Sequence, residues 1–150
     1  MDKFNFDKII EKVERMKTDL PKVIANDTLN YFMEGFDKQE WDGQKWKEVQ
    51  RRTPGTPAYK YPKKGADSRR NSAILVRTGT LRRALSNSIV KADFNSIKFV
   101  VTTGGENEYA GYNNYGTSKI PKRQFVGDSS LLRKRQLDKI KSYMQKIWQG

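Results

Sequence analysis

The side chains of this 150-residue chain that can do chemistry are few in kind, because it contains neither cysteine nor histidine. Thiolate nucleophiles and disulfides are therefore absent from its chemistry. Also missing is imidazole, the commonest general base and metal ligand at neutral pH. The carboxylates are scattered. The nearest pair late in the chain, Glu106 and Glu108, reads as a solvated strand-to-loop turn, because nothing around it resembles an acid/base pair or a metal cluster. Gly104-Gly105 imitates a phosphate loop, but no Lys-Ser/Thr follows and the two glutamates would repel phosphate. The reading is a protein that is not an enzyme and needs no cofactor or metal. What remains is cations and aromatics. The stretch Arg51–Arg83 holds ten basic residues against the single acid Asp67. Arg51, Arg52, Lys60, Lys63, Lys64, Arg69 and Arg70 are its candidate contacts to a polyanion or partner, and Tyr59 and Tyr61 interleave with the lysines as a stacking surface for bases would.

Length and composition bound the rest. One domain of 150 residues can bury a core without staples, yet hydrophobic residues reach only 35% and charged residues 31%, which predicts a small core with long solvated faces. The apolar runs are far short of the roughly 20 residues that span a bilayer, so no membrane contact is expected. The opening residues mix acids and lysines and are not read as a signal peptide. The net charge of +13 is uneven: −2 over residues 1–40, +10 over 41–103 and +5 over 104–150. Such a basic block must face water or a polyanion.

The positioning elements follow from periodicity. Ile9, Val13, Met16, Leu20, Val23 and Ile24, then Leu29, Phe32, Met33 and Phe36, recur at helical steps. Pro21 predicts a break, with Asp19 capping the restart and Gly35 marking the stop. Trp41 and Trp46 flank an Asp42-Gly43 turn and are read as pinning that connection onto the core rather than as a base-stacking platform. Residues 50–72 lose all periodicity and predict a long mobile basic loop. A strand over Ala73–Arg77, a short helical turn capped by Thr80 and carrying Leu81, Ala84 and Leu85, and a hairpin of Asn87–Ala92 with Ser96–Thr103 come next. Tyr109, Tyr112 and Tyr115 repeat every third residue and are read as a core-facing helical row, with Gly111 and Gly116 allowing close approach. Pro121 and Gly127 bracket Phe125, a buried anchor, while Lys122 and Arg123 project as further candidate contacts to an assembly partner or polyanion. A final helix, Ser129–Trp148, carries Leu137, Ile140, Met144, Ile147 and Trp148 on one stripe. The fold class is α+β. A small antiparallel sheet of about four strands is packed by a long N-terminal helix, broken near Pro21, and a C-terminal helix, in a single domain over 1–150.

In order and spacing these segments resemble the phage virion morphogenesis family of tail-completion and head–tail joining proteins. The resemblance runs from about Tyr31 to Gly127. It rests on an aromatic helix end with a tryptophan pair, on I-L-x-x-T-G-x-L at Ile74–Leu81, on a hairpin, on Y-A-x-x-x-x-x-G at Tyr109–Gly116, and on I-P-x-R-x-F-x-G at Ile120–Gly127. Tyr109-Ala110, Arg123 and Phe125 match the family pattern, and Gly79, Leu81, Gly116 and Pro121 fall on its turns. Asn113 stands where the family commonly has histidine, and Gln124 where it commonly has proline. The resemblance implies a non-enzymatic ring subunit, made in the cytoplasm of a bacterial host and built into a virion of a phage or prophage. It implies contacts with other neck and tail proteins and with further copies of itself through a heterologous interface. In such a ring the basic loop faces either DNA, without sequence preference, or an acidic connector surface. Residues 51–70 are then expected to be flexible in the free subunit and to order on assembly. The competing class is a sequence-independent nucleic-acid-binding module.

Overall fold

A 33-residue helix, α1 (Phe6–Lys38), organises the fold. Asn5 caps its start, its side-chain oxygen accepting from the backbone N–H groups of Asp7 at 3.0 Å and Lys8 at 3.3 Å. Gln39 ends it in the left-handed conformation (φ 54°) and returns its N–H to the Gly35 carbonyl. The structure, a computed structural model, describes residues 5–62, 70–76, 78–101 and 109–149. Lys63, Lys64, Asp67, Arg69, Arg77, Gly104, Gly105, Glu106 and Glu108 lie outside the described residues.

The expected break at Pro21 does not occur: α1 runs straight through it, and Asp19 is an exposed mid-helix residue rather than a cap. A proline inside a helix deletes one hydrogen bond and crowds the carbonyl one turn back, at a cost of about 3 kcal/mol. Here Leu20, Pro21, Ile24 and Ala25 are all buried, so packing of the same turn offsets that cost. Gly35 does not stop the helix either. It lets the chain fold back on itself, since a Cβ at this position would lie 3.1 Å from the Glu40 carbonyl oxygen.

Strands β1 (Glu40–Trp41) and β2 (Gln44–Lys45) form a minimal antiparallel hairpin. Its two-residue turn, Asp42-Gly43, takes positive φ at both positions (51° and 78°), the mirror-image turn that Asp-Gly favours. The region read as aperiodic contains a 3₁₀ turn at Gln50–Arg52 and one helical turn, α2 (Pro57–Lys60). The strand expected over Ala73–Arg77 is instead a turn at 74–76, with Leu75 at φ 61° and Ile74 dropped into the core. Helix α3 (Thr80–Ser86) follows, presenting Leu81, Ala84 and Leu85 inward. Its N-cap is Gly79 at φ 68° and not Thr80, which occupies the first helical position. Strands β3 (Ile89–Ala92) and β4 (Ile97–Val100) pair antiparallel, Ile89 opposite Val100 and Ala92 opposite Ile97. Asp93 fastens their turn by accepting from the N–H groups of Asn95 and Ser96, each at 2.8 Å. Helices α4 (Tyr109–Tyr115) and α5 (Ser130–Gln149) complete the described elements.

The fold is thus mixed helix and sheet, with long helices at both ends as expected, but among the described residues the strands form two separate two-stranded ladders instead of one four-stranded sheet. The turn at 74–76 removes one expected strand, and the first hairpin is too short to extend a ladder. One cluster joins the elements: Phe32 and Phe36 of α1, Trp46, Ile74, Leu81 and Leu85 of α3, Phe125, and Leu132 of α5. The two tryptophans do pin the connection. Trp46 meets Phe36 edge-on at 5.6 Å, and Trp41 packs on Tyr31 and Phe32 at 5.8 Å each. Of the stripe expected along α5, Ile140 and Ile147 are half-buried while Leu137, Met144 and Trp148 stay exposed; the buried residue of this helix is Leu132, outside that stripe.

Candidate interaction site

Phe125 is 1% exposed and meets Phe36 at 5.4 Å between ring centres, so the segment that carries it is held against α1. A short polar frame sets that position. Asn114 accepts at its side-chain oxygen from the backbone N–H groups of Phe125 (2.9 Å) and Val126 (3.1 Å). Asn113 accepts at its carbonyl from the Arg123 N–H at 2.8 Å and donates from its side chain to the Tyr109 carbonyl at 2.8 Å. The Trp46 indole donates to the Gln124 carbonyl at 2.7 Å. Buried amides matched this closely are worth more as a set than singly, because an unmade bond in this environment costs about 1–3 kcal/mol. Gly116 (φ 79°) lets the two segments touch: a Cβ there would sit 2.8 Å from the Lys122 backbone nitrogen, a distance no side chain tolerates. Pro121, half-buried, starts the returning segment.

Two expectations are overturned at this site. Tyr109, Tyr112 and Tyr115 do not face the core; they are 46%, 44% and 76% exposed. The inward face of α4 belongs to Ala110, Asn113 and Asn114; the neighbouring 120–127 segment has no strand partner, and the Asn114 side chain and the Asn113 main-chain carbonyl satisfy its backbone. Tyr109 is therefore a surface residue beside its partly buried neighbour Ala110. Arg123 does not project. It is buried, donating from Nε to the Lys47 carbonyl at 3.0 Å and from Nη2 to that of Glu48 at 3.5 Å. Burial, reinforced by the nearby Arg51 guanidinium, pulls its pKa below the ordinary arginine value, against the opposing influence of Glu48 and Tyr109. Lys122 remains exposed as expected, so the outward surface consists of three tyrosines and Lys122.

No family model, curated protein or solved structure matches this chain. Its functional reading rests on the residues themselves.

The basic residues singled out in the sequence are only partly free to meet a partner. Arg51 donates to the Ser72 carbonyl at 3.1 Å, and Arg52 pairs with Glu48 at 2.9 Å. Arg70 lies over the Tyr59 ring at 4.7 Å and donates to the Tyr59 carbonyl at 2.7 Å. Lys60 is exposed, and so is Tyr61, at 79%. Among the described residues no group of three or more carboxylates or other metal ligands converges. No helix among them is long and apolar enough to cross a membrane.

Sequence reading missed two acids that tie α5 to the rest of the fold. Asp42, taken only as a turn residue, reaches the start of α5. It accepts from the Ser129 hydroxyl at 2.7 Å and from the Leu131 N–H at 3.0 Å, and it holds the Ser130 hydroxyl as well. Ser129 in turn caps α5 by accepting from the Leu132 N–H at 3.1 Å. The Ser-Ser pair before a helical run was the available signal. The Leu131 N–H, then the Ser129 hydroxyl, hold the Asp42 carboxyl below the ordinary carboxylate range. A depressed folded-state pKa contributes stability at pH values above the unfolded-state value, and that contribution is lost as pH falls through the folded-state value. Asp42→Asn keeps a residue that accepts φ 51° but removes the charge. The expected result is a lower melting temperature than wild type at pH 7, with the gap narrowing as pH falls below the ordinary aspartate value of about 4; melts across that range check it.

The second missed acid, Asp27, is buried in the middle of α1. Arg135 of α5 grips it with two bonds, Nε at 2.9 Å and Nη2 at 3.0 Å, and also reaches Glu34 at 2.8 Å. An acid inside an apolar stripe was the visible clue.

Proposed function

We propose that this chain is a structural assembly subunit of a tailed phage or prophage. It is of the tail-completion or head–tail joining kind and works in a ring with further copies of itself and with neck and tail proteins. The observation that supports this best is the convergence of the three motif segments. Ile74 and Leu81 from the first, Ala110 from the second, and Phe125 with Val126 from the third belong to one cluster, although they are spread over some fifty residues of chain. Segments that resemble the family in sequence thus serve one shared purpose, which is to hold α4 with its tyrosines outward. Tyrosine gives large contact area at low entropic cost and is enriched at protein interfaces, so this face suits a protein partner.

The test uses Tyr112→Ala combined with Tyr115→Ala. Both side chains are exposed, so the double variant is expected to unfold within about 0.5 kcal/mol of wild type. Replacing the wild-type copy during particle production, it should lower the yield of complete virions at least about tenfold, as hot-spot loss implies. Wild-type yield from the variant would remove this face from the account. The nucleic-acid-binding alternative rests on Lys60 and the exposed Tyr61. Duplex binding whose affinity falls steeply with salt, and is lost on Tyr61→Ala, would favour it instead.

A further inference from the structure

The outer edge of β4 has no role in the reading above. Among the described residues this strand is paired on one side only, with β3. The Asp93 N–H donates to the Ser96 carbonyl at 2.9 Å, which fixes the phase of the ladder. The main-chain groups of Lys98 and Val100 therefore point to β3, and those of Ile97 and Phe99 point away from it. No group among the described residues bonds the outward N–H and C=O of Ile97 and Phe99. The same two residues send half-buried side chains into an open apolar trough of about 370 Å³, which they and Val101 share with Phe32 of α1 and Leu132 and Gln136 of α5. Past Gln136 the trough continues into a hollow of about 510 Å³ beside the hairpin tip, walled by Ile24, Ile140 and Met144. Among the described residues none of β3 lines either part, so the trough opens on the outer side of β4. An unpaired edge beside an apolar trough suits an added strand: main-chain bonds hold it, and alternate side chains fill the trough.

The opposite face of the hairpin gives the charge of that strand. Lys91 and Lys98 stand directly opposite each other, both exposed, and neither forms an ion pair among the described residues. Like charges in that position repel. The nearby acids are engaged elsewhere: Asp93 accepts from the N–H groups of Asn95 and Ser96, and Asp128, at the other end of the trough, bonds Arg133. An acid on the outer face of an added strand would lie beside Lys98 and relieve the repulsion.

We infer that an extended acidic segment of a partner protein adds to the free edge of β4, with alternate apolar side chains in the trough and acids beside Lys98. The same edge of a second copy would bring another Lys98 and another α5 to this floor, so it does not meet the charge or the space. The inference asks nothing of the Tyr109–Tyr115 face, so it stands or fails apart from the virion reading.

Calorimetric titration of the full chain with blocked synthetic peptides of about eight residues tests it. A peptide alternating valine and glutamate is expected to bind with a dissociation constant below about 1 mM. A peptide of the same composition in helical order should bind at least about tenfold more weakly. The valine N–H groups face β4 in an antiparallel addition, and the glutamate N–H groups do so in a parallel one. N-methylating one set should therefore weaken binding at least about tenfold, and N-methylating the other should leave it near the parent. Lys98→Glu, at an exposed position, should weaken the alternating peptide at least about fivefold. Lys60→Glu, exposed on α2, makes the same change in net charge away from the trough and should bind as wild type does. Circular dichroism confirms that both variants are folded. No binding at about 1 mM, equal binding of the two orders, equal affinities of the two N-methylated peptides, or equal effects of the two lysine variants overturns the inference. So does self-association of the free protein that the peptide dissolves, which would give the edge to a second copy.

Discussion

Phe125→Ala is expected to destabilise the fold by about 3–5 kcal/mol, the range for deleting a buried aromatic side chain from a packed core. The ring is 1% exposed, and it touches Phe36 at the point where α1 and the 120–127 segment meet. Its backbone N–H is held by Asn114, so the chain around the vacancy cannot collapse freely to fill it. Since an ordinary domain has only about 5–15 kcal/mol in hand, this one change removes a large fraction. Urea titration checks it through the midpoint, with little change in slope. A loss under about 1 kcal/mol would mean that the 120–127 segment is not packed as described.

Arg135→Ala is the second large effect. The buried Asp27 carboxylate receives two bonds from this guanidinium; without them its nearest cation is Lys139, 3.6 Å away. Breaking one side of a buried pair costs about 3–5 kcal/mol, mostly because the remaining charge is stranded. Arg135 is one-third exposed, so solvent screens part of that and about 2–3 kcal/mol is expected. The same reasoning predicts partial recovery: Asp27→Asn combined with Arg135→Met leaves no stranded charge and should be less destabilised than Arg135→Ala alone. A double-mutant cycle measures this, and strict additivity would contradict it.

The parts of this fold that were legible in the sequence are those set by local chemistry. The stripe from Leu20 to Phe36, the Asp-Gly turn, the β3–β4 hairpin and the final helix all follow from spacing and turn residues. The errors came where tertiary contacts overrule local preference. Pro21 stays inside α1 because its own turn is buried, and Ile74 enters the core from a turn because Leu75 adopts positive φ. The candidate site was harder to read because its polarity is inverted. Tyrosines at helical spacing look like core, yet two asparagines face inward; for Asn114 the reason lies some ten residues further along the chain, in the N–H groups of Phe125 and Val126, which have no strand partner, while Asn113 turns its side chain back to the Tyr109 carbonyl. Arg123 likewise looked like a surface cation, because nothing local reveals that the carbonyls of Lys47 and Glu48 await it.

The proposed role in virion assembly is most directly tested by deleting the gene from the genome that encodes it and examining, by electron microscopy, the particles released on induction. Filled or empty heads without tails beside separate, unjoined tails are expected, and complete virions again when the intact gene is supplied in trans. Normal virions in its absence would contradict the proposal.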